Sequence, residues 1–351
     1  MNLPEITSFD VSEAQVILRA DLDVSISENE ADLRLQSLIP IINYLSENKA
    51  KTVIIGHRGR PKKGPDEALS LKPVADILRK ICGKKIDFLG EIFGEKVFKA
   101  SQNITPGDFL MLENLRFDPR EEKNDPEFAK TLLSLGKIYV NEAFGTSHRK
   151  HTSLFALPQV LKKQGRLVFF GPRFIEEVKN LEKVLDNPKR PLIFVISGVK
   201  KDKLGYIGEL KEKADRILVG GRLPEYIGND GISVRTIKEG QKIVVANLIQ
   251  DKEDITVNSI EVFEGEIEKA GTVVLSGPLG KYEDEGHSQG TRRIFEAVSK
   301  NKNAFRVAGG GDTVGALSKF GLEGLNWVSD GGGAMLEFLA KGTLPAIEAI
   351  L

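Results

Sequence analysis

The stretch Gly56-His-Arg-Gly-Arg-Pro-Lys-Lys-Gly64 puts one His, two Arg and two Lys into nine residues with no acid among them. It directly follows the apolar, β-branched run Lys51-Thr-Val-Ile-Ile55. Other apolar runs in the first half of the chain end in the same way. Arg19-Ala-Asp21-Leu-Asp23 is one, with Arg34 a short loop further on. Glu113-Asn-Leu-Arg116-Phe117 is another, and the segment from Asn141 to His151 carries Arg149. A single basic ending is weak evidence and reads more readily as a solvated charge. Several at equivalent positions repel one another unless an anion lies among them, and Arg is suited to bidentate recognition of carboxylate or phosphate.

The second half ends its apolar runs in glycine. Ser197-Gly-Val-Lys200-Lys-Asp-Lys203, Gly220-Gly221, Ser276-Gly-Pro-Leu-Gly280, Gly309-Gly-Gly-Asp312-Thr313 and Ser329-Asp-Gly331-Gly-Gly333 follow one another. Glycine at a strand end that feeds a helix lets backbone N–H groups approach a phosphate, although each run taken alone could equally be a tight turn. Neither GxxxxGK[ST] nor a GxGxxG after the first strand is present. Asp312 is the pointed residue, because an acid tolerates phosphate only across a divalent cation. The two halves thus suggest an Arg-rich site for a small anionic metabolite and a Gly-rich site for a magnesium nucleotide. Phosphoryl transfer needs mainly positioning and charge neutralisation. A carboxylate acceptor is already ionised and needs no general base, which agrees with the lack of a persuasive His–carboxylate or Cys–His constellation.

The elements that must position these residues alternate. Strand candidates are Gln15–Leu22, Lys51–Ile55, Lys85–Leu89, Asp108–Leu112, Lys137–Val140, Pro191–Ile196, Arg216–Val219, Lys242–Ala246, Gly271–Leu275, Phe305–Ala308 and Leu325–Val328. Helical periodicity lies between many of them, as at Leu71–Ile81 and Pro126–Leu135. Strand–helix alternation implies parallel sheets covered by helices. The strands are too many for one ordinary sheet of about six, so two α/β domains are expected, with a boundary near Gly171-Pro172. Phe174, Val178, Leu181 and Leu185 then fall at helical spacing over Arg173–Asp186. That helix could be a hinge or an ordinary crossover helix.

Composition narrows the class. The 351 residues contain 50 Lys+Arg and 50 Asp+Glu, so a nucleic-acid polymer is not the expected partner. The single cysteine, Cys82, rules out an intrachain disulfide and reads as a small buried hydrophobe. With no run of 18 apolar residues and no leader pattern at Met1–Asp10, a soluble cytoplasmic protein without membrane contact is expected. His151 and His287 read as surface or packing residues, Lys62-Lys63 as solvated, and Trp327 as core.

The chain resembles the phosphoglycerate kinase family along nearly its whole length. The resemblance rests on LRADLDV, the Arg34 segment, IIGHRGRPKK, SLKPVADIL, LENLRF with Asn124-Asp125, YVNEAFGTSHRKHTS, KRPLIFVISGVKKDK, VLSGPLGKYE, QGT, AGGGDT, VSDGGGAMLEFLAKG and LPAIEAIL. It implies two Rossmann-like three-layer domains with parallel sheets, joined by a hinge helix. The first, 1–171 completed by 335–351, would hold the acid. The helix is 172–186, and 187–334 would hold the nucleotide. The implied reaction is reversible transfer between 1,3-bisphosphoglycerate and ADP, giving 3-phosphoglycerate and magnesium ATP, in a usually monomeric enzyme. The alternative is a degenerate binding protein that keeps the acid site. An unrelated Rossmann oxidoreductase lacks its fingerprint.

By the same resemblance, Asp21 would hold the substrate hydroxyl. His57, Arg60, Arg116 and Arg149 would surround the glycerate, and Arg34 would face the group in flight. Lys200 and Lys203 would meet the nucleotide phosphates, with Arg34 and the two lysines catalytic. Glu283 would bind the ribose and Asp312 the magnesium. Thr313 with Gly309, Gly310 and Gly311 would form the helix start behind the phosphates. The chain departs from the family pattern at several places. Asp23, counted with the acid site, and Ser276, counted with the nucleotide site, each stand where the family has Asn, and Leu275 replaces Trp. Lys203 follows Lys200 by three residues rather than four. Asp330, Thr256-Val257 and Arg222-Leu223 are further departures, so most fall on the nucleotide half.

Overall fold

A computed structural model describes residues 1–26, 33–62, 64–227 and 240–351; Lys63 lies outside them. The described residues form twelve strands. They are β1 (Gln15–Arg19), β2 (Lys51–Ile55), β3 (Ile86–Leu89), β4 (Phe109–Leu112), β5 (Ile138–Asn141), β6 (Leu167–Phe170), β7 (Leu192–Ile196), β8 (Arg216–Val219), β9 (Ile243–Val245), β10 (Thr272–Ser276), β11 (Phe305–Gly309) and β12 (Trp327–Ser329). Two six-stranded sheets result, in the orders β3-β4-β2-β1-β5-β6 and β12-β11-β10-β7-β8-β9. Every pairing within them is parallel. Central strands are apolar on both faces, as strands covered by helices on both sides must be: β4 and β7 are buried throughout.

The strand orders locate the sites. The second sheet starts at β7, runs outward to β8 and β9, then returns to β10 on the other side of β7. This is the doubly wound order, with its switch point between β7 and β10. In the first sheet the corresponding reversal lies between β1, which is followed on one side by β2, and β5 on the other. Ligands bind at such points, beyond the carboxyl ends of the strands.

The chain divides into unit 1, Met1–Lys179 with Leu344–Leu351, and unit 2, Asn180–Thr343. The division falls inside the helix Pro172–Leu185, whose Phe174, Val178 and Leu181 are buried. Its first turn is capped by Glu142, which accepts from the backbone N–H of Arg173 (3.1 Å) and Phe174 (3.0 Å). Residues 335–343, grouped with the returning segment in the domain expectation, lie in unit 2 in this division. There Tyr206 Oη donates to Glu337 Oε2 at 3.0 Å, and Lys213 Nζ donates to the Leu339 carbonyl at 2.7 Å. Helix Pro345–Ile350 sits in unit 1: Ala346 N–H donates to the Ser147 carbonyl, and Ala346 packs with Ala143 and Leu154.

Several elements differ from the sequence reading. β6 is additional. β1 ends at Arg19 rather than Leu22, and the chain after it turns where Val24 N–H donates to the Leu22 carbonyl (2.9 Å). Helix Pro126–Leu132 is N-capped by Asp125 and runs into a 3₁₀ turn over Leu133–Leu135. Trp327 is half-buried on the edge strand β12, not in a core. Cys82 is half-buried at the rim of the unit 1 core.

Candidate functional site

In unit 1 the strand ends carry a buried polar network. Arg19, last residue of β1, is fully buried. Its Nε donates to Ser153 Oγ (2.8 Å) and its Nη2 lies 2.9 Å from His57 Nδ1. Ser153 Oγ donates to Glu121 Oε1 (2.6 Å), its N–H to Glu121 Oε2 (3.0 Å), and Tyr139 Oη donates to its carbonyl (2.8 Å). Because a guanidinium can only donate, His57 Nδ1 is the acceptor and the ring proton sits on Nε2. Burial, then the charges of Arg19 and Arg116, hold the His57 pKa well below its ordinary value, so the ring is neutral. His57 Nε2 is buried and has no hydrogen-bond partner among the described residues; Asp23 Oδ2 is 3.7 Å away.

Arg116 is similarly set. Its Nη1 donates to the Gly59 carbonyl (2.6 Å), while Nη2 is buried without a hydrogen-bond partner among the described residues. Burial and then Arg149 pull its pKa down to about 10, and burial with Arg116 and Arg149 brings His151 to about 3. The charges of Arg19, Arg116 and Arg149 thus bear on both histidines, which places them close together at one sheet edge. Arg34, half-buried on the short helix Leu33–Ser37, donates to the Asp23 carbonyl. Asp21 is buried, and Arg60 is exposed. Asp23 Oδ1 accepts from Gly59 N–H at 2.8 Å, so this carboxylate pins the His57–Gly59 turn. Gly59 has φ +62°, and a Cβ there would meet Leu69 Cδ2 at 2.5 Å.

Not every basic residue of the opening stretch faces this edge. Arg58 is a strut, donating to the carbonyls of Val24 (3.0 Å), Ala68 (2.9 Å) and Ser70 (3.3 Å). Asn114, fully buried, donates to the carbonyls of Arg58 (2.7 Å) and Leu69 (2.9 Å) and accepts from Arg116 N–H (3.1 Å).

In unit 2 the switch point is occupied by Lys203. Its Nζ donates to the carbonyls of Ser197, just after β7 (2.7 Å), and Ser276, the end of β10 (3.1 Å). Burial, then the neighbouring Lys200, lowers its pKa to about 8, while Asp312 and Asp202 oppose the shift. Gly277, at φ +101°, makes room for the ammonium: a Cβ there would lie 2.1 Å from the Ser197 carbonyl oxygen and 2.7 Å from Lys203 Nζ. The segment Lys201–Tyr206 is a 3₁₀ helix with Lys200 as N-cap, not an α-helix. With three residues per turn, Lys203 stands over Lys200, and that accounts physically for a lysine pair three apart.

Asp312 is exposed in the first turn of helix Gly311–Lys319. Thr313 next to it is buried and fully engaged, accepting from Gly277 N–H (2.8 Å) and donating to the Gly309 carbonyl (3.0 Å). It therefore ties the β10 and β11 ends together. Ser276 Oγ is buried without a hydrogen-bond partner among the described residues. Glu283 is exposed on a loop whose Tyr282 and Glu283 carbonyls accept from Lys319 Nζ at 2.9 and 3.0 Å. Thr291 holds the Gly277–Lys281 turn, its Oγ1 accepting from Leu279 and Gly280 N–H, and Asp254 holds the start of the following helix, accepting from Gly290 N–H and from its neighbour Ile255 N–H. This explains the QGT stretch as framework.

The sequence reading did not single out Glu121, Ser153 or Tyr139. They are spread over three segments, with no shared period to reveal them.

Comparison with known proteins agrees with this fold. The family model described as phosphoglycerate kinase matches residues 6–234 and 229–342. The phosphoglycerate kinase of Fervidobacterium nodosum is 36% identical over 394 aligned positions, covering 98% of this chain and 97% of that protein. That of Dictyoglomus turgidum is 35% identical over 387 positions, covering 97% and 96%. Among solved structures, the phosphoglycerate kinase of Pyrococcus horikoshii superposes with a TM-score of 0.85 at 25% identity, covering 99% of this chain and 98% of that one. The Coxiella burnetii enzyme gives 0.76 at 28% identity, covering 99% of each chain. The fold is that of the α/β kinases on which it superposes. The chain belongs to the phosphoglycerate kinase family. The alignments are longer than its 351 residues, so the relatives carry residues that this chain lacks.

Proposed function

We propose that the chain transfers a phosphoryl group reversibly between 1,3-bisphosphoglycerate and ADP, giving 3-phosphoglycerate and ATP. The observation that carries this reading is the pair of switch points: one ends in a buried, neutral-His and Arg cluster, the other in a lysine held over strand-end carbonyls. Unit 1 is the acid side. Asp21 takes the substrate hydroxyl, neutral His57 offers its Nε2–H, and Arg60, Arg116 and Arg149 meet the distal phosphate. Asp23 supports this site through the Gly59 turn. Arg34 and Lys203 neutralise the phosphoryl group as it passes to or from the already ionised carboxylate, the step at which charge stabilisation counts most.

Unit 2 is the nucleotide side, with Lys200 and Lys203 at the phosphates, Ser276 and Gly309–Gly311 lining their turn, and Glu283 at the ribose. The nucleotide is bound as its magnesium complex. Asp312 fits this, as an exposed carboxylate at a helix start. The described residues contain no group of three or more His, Cys, Asp or Glu able to hold a metal by themselves, so the cation would come with the phosphates. Helix Pro172–Leu185 serves as hinge, because in-line transfer needs the reacting atoms nearly in contact and water excluded. We read the protein as a cytoplasmic monomer; no helix among the described residues is long and apolar enough to cross a membrane. A non-catalytic role has no support in the comparisons.

A coupled assay with 3-phosphoglycerate and magnesium ATP tests the proposal. Turnover that requires both substrates is expected. Saturable 3-phosphoglycerate binding with no transfer would overturn it in favour of a binding protein.

A further inference from the structure

The sequence reading gave His287 no role, yet its ring is placed between two carboxylates. Nε2 lies 2.9 Å from Asp251 Oδ2, and Nδ1 lies 3.1 Å from Asp284 Oδ2, within ion-pair range though off the hydrogen-bond direction. Each carboxylate is fixed through its other oxygen. Asp251 Oδ1 accepts from Glu253 N–H (3.1 Å), and Asp284 Oδ1 accepts from Gly286 N–H (2.9 Å). A neutral ring carries one N–H, so either tautomer would turn a nitrogen lone pair toward a carboxylate oxygen about 3 Å away. Only the imidazolium suits both contacts. The surrounding charges agree: Asp251 and Asp284 raise the His287 pKa, Asp254 lies near enough to feel its charge, and Lys281 also acts on Asp284.

The imidazolium joins two loops. One is Asp251–Asp254, which also accepts Lys281 N–H at the Glu253 carbonyl (2.8 Å). The other is Lys281–His287, which carries Glu283; at its centre the Tyr282 and Glu283 carbonyls accept from Lys319 Nζ, and the Tyr282 ring packs edge-on against Phe320. We propose that His287 is a positioning residue for the nucleotide: as an imidazolium it clips the Glu283 loop to the Asp251 loop, and the clip releases as the ring loses its proton. This rests on the reading of Glu283 as the ribose acid. The sign is that of a cation stabilised by acids: the clip is complete at low pH and is lost as pH rises through a pKa above the ordinary histidine value of about 6.5.

The test compares His287→Gln with the natural chain from pH 6.5 to 9, measuring KM for magnesium ATP, KM for 3-phosphoglycerate and kcat, alongside NMR titration of the His287 ring proton. At the acid end the variant should show a nucleotide KM raised by about threefold, the size expected of a pair of exposed ion pairs, with kcat and the acid KM unmoved. The ratio of the two nucleotide KM values should then close toward one as pH rises. The ring should titrate above the ordinary value in the natural chain and fall back toward it in Asp251→Asn. A ratio constant with pH, or a ring titrating at or below the ordinary value, overturns the clip. If Glu283→Gln leaves the nucleotide KM unchanged while the His287 ratio still follows the ring's titration, the clip stands and the ribose role of Glu283 falls.

Discussion

Alkaline pH should silence Lys203, the lysine proposed to meet the nucleotide phosphates, well before ordinary lysines lose their charge. Lys203 is desolvated between two strand ends and has Lys200 beside it, which together bring its pKa to about 8. The depressed value means the ammonium is the low-pH form and disappears as pH rises through that value. The protonated fraction then falls from about nine-tenths at pH 7 to about one-tenth at pH 9, so kcat/KM for magnesium ATP should fall by about tenfold over that range, since it reports the free enzyme. The limb in kcat should lie higher, because a bound phosphate restores the charged form. Lys203→Ala should remove the limb and cost about a hundredfold in kcat, roughly 2.7 kcal/mol of barrier, while magnesium ADP still binds. Lys201→Ala should be mild, since that side chain is exposed and reaches the Tyr226 ring at 5.6 Å. The coupled assay, with coupling enzymes in excess at each pH, reads all of this. A limb that survives in Lys203→Ala would remove Lys203 from the site, and a silent Lys203→Ala with a crippled Lys201→Ala would mean the register of the loop is misassigned.

Arg34→Ala should lower turnover far more than it weakens 3-phosphoglycerate binding, because its charge counts most in the transition state; equal losses, by calorimetry against kinetics, would count against that role. Asp23→Asn should be tolerated or should tighten acid binding, because the amide oxygen can still accept Gly59 N–H while a negative charge beside an anionic ligand is removed; a large loss of activity would give Asp23 a function of its own. Thr313→Val should cost about 1–3 kcal/mol in urea unfolding, since buried Gly277 N–H loses its acceptor; an unchanged midpoint would show that the turn re-forms without it.

The strands at 51–55 and 216–219 were legible to the residue because each is a short β-branched or apolar run closed by Gly or a charge. β6 was not. Leu167-Val-Phe-Phe170 is four residues long, and the Gly171-Pro172 signal after it drew attention as a boundary instead. The basic strand ends were readable as an anion site because charge of one sign is visible in sequence. Which of them are struts was not readable: Arg58 and Arg60 are two residues apart and alike on paper, yet only backbone carbonyls from distant turns make Arg58 structural. The shortened lysine loop looked like a departure from the family pattern, and the 3₁₀ geometry that reconciles it depends on the packing of Gly198, Gly277 and the two carbonyls, which no local pattern encodes.

The return of Leu344–Leu351 to unit 1 has a bearing on synthesis. A ribosome releases the residues of unit 1 up to Lys179 first, then the whole of unit 2, and only then the helix that sets Ala346 against Ala143 and Leu154. At about 5–20 residues per second the interval is roughly 10–30 s. Through that time the first-made unit waits with a small apolar seat uncovered, while the strands of the later-made unit are still being added. In the order of translation, the second unit is the first that can be finished.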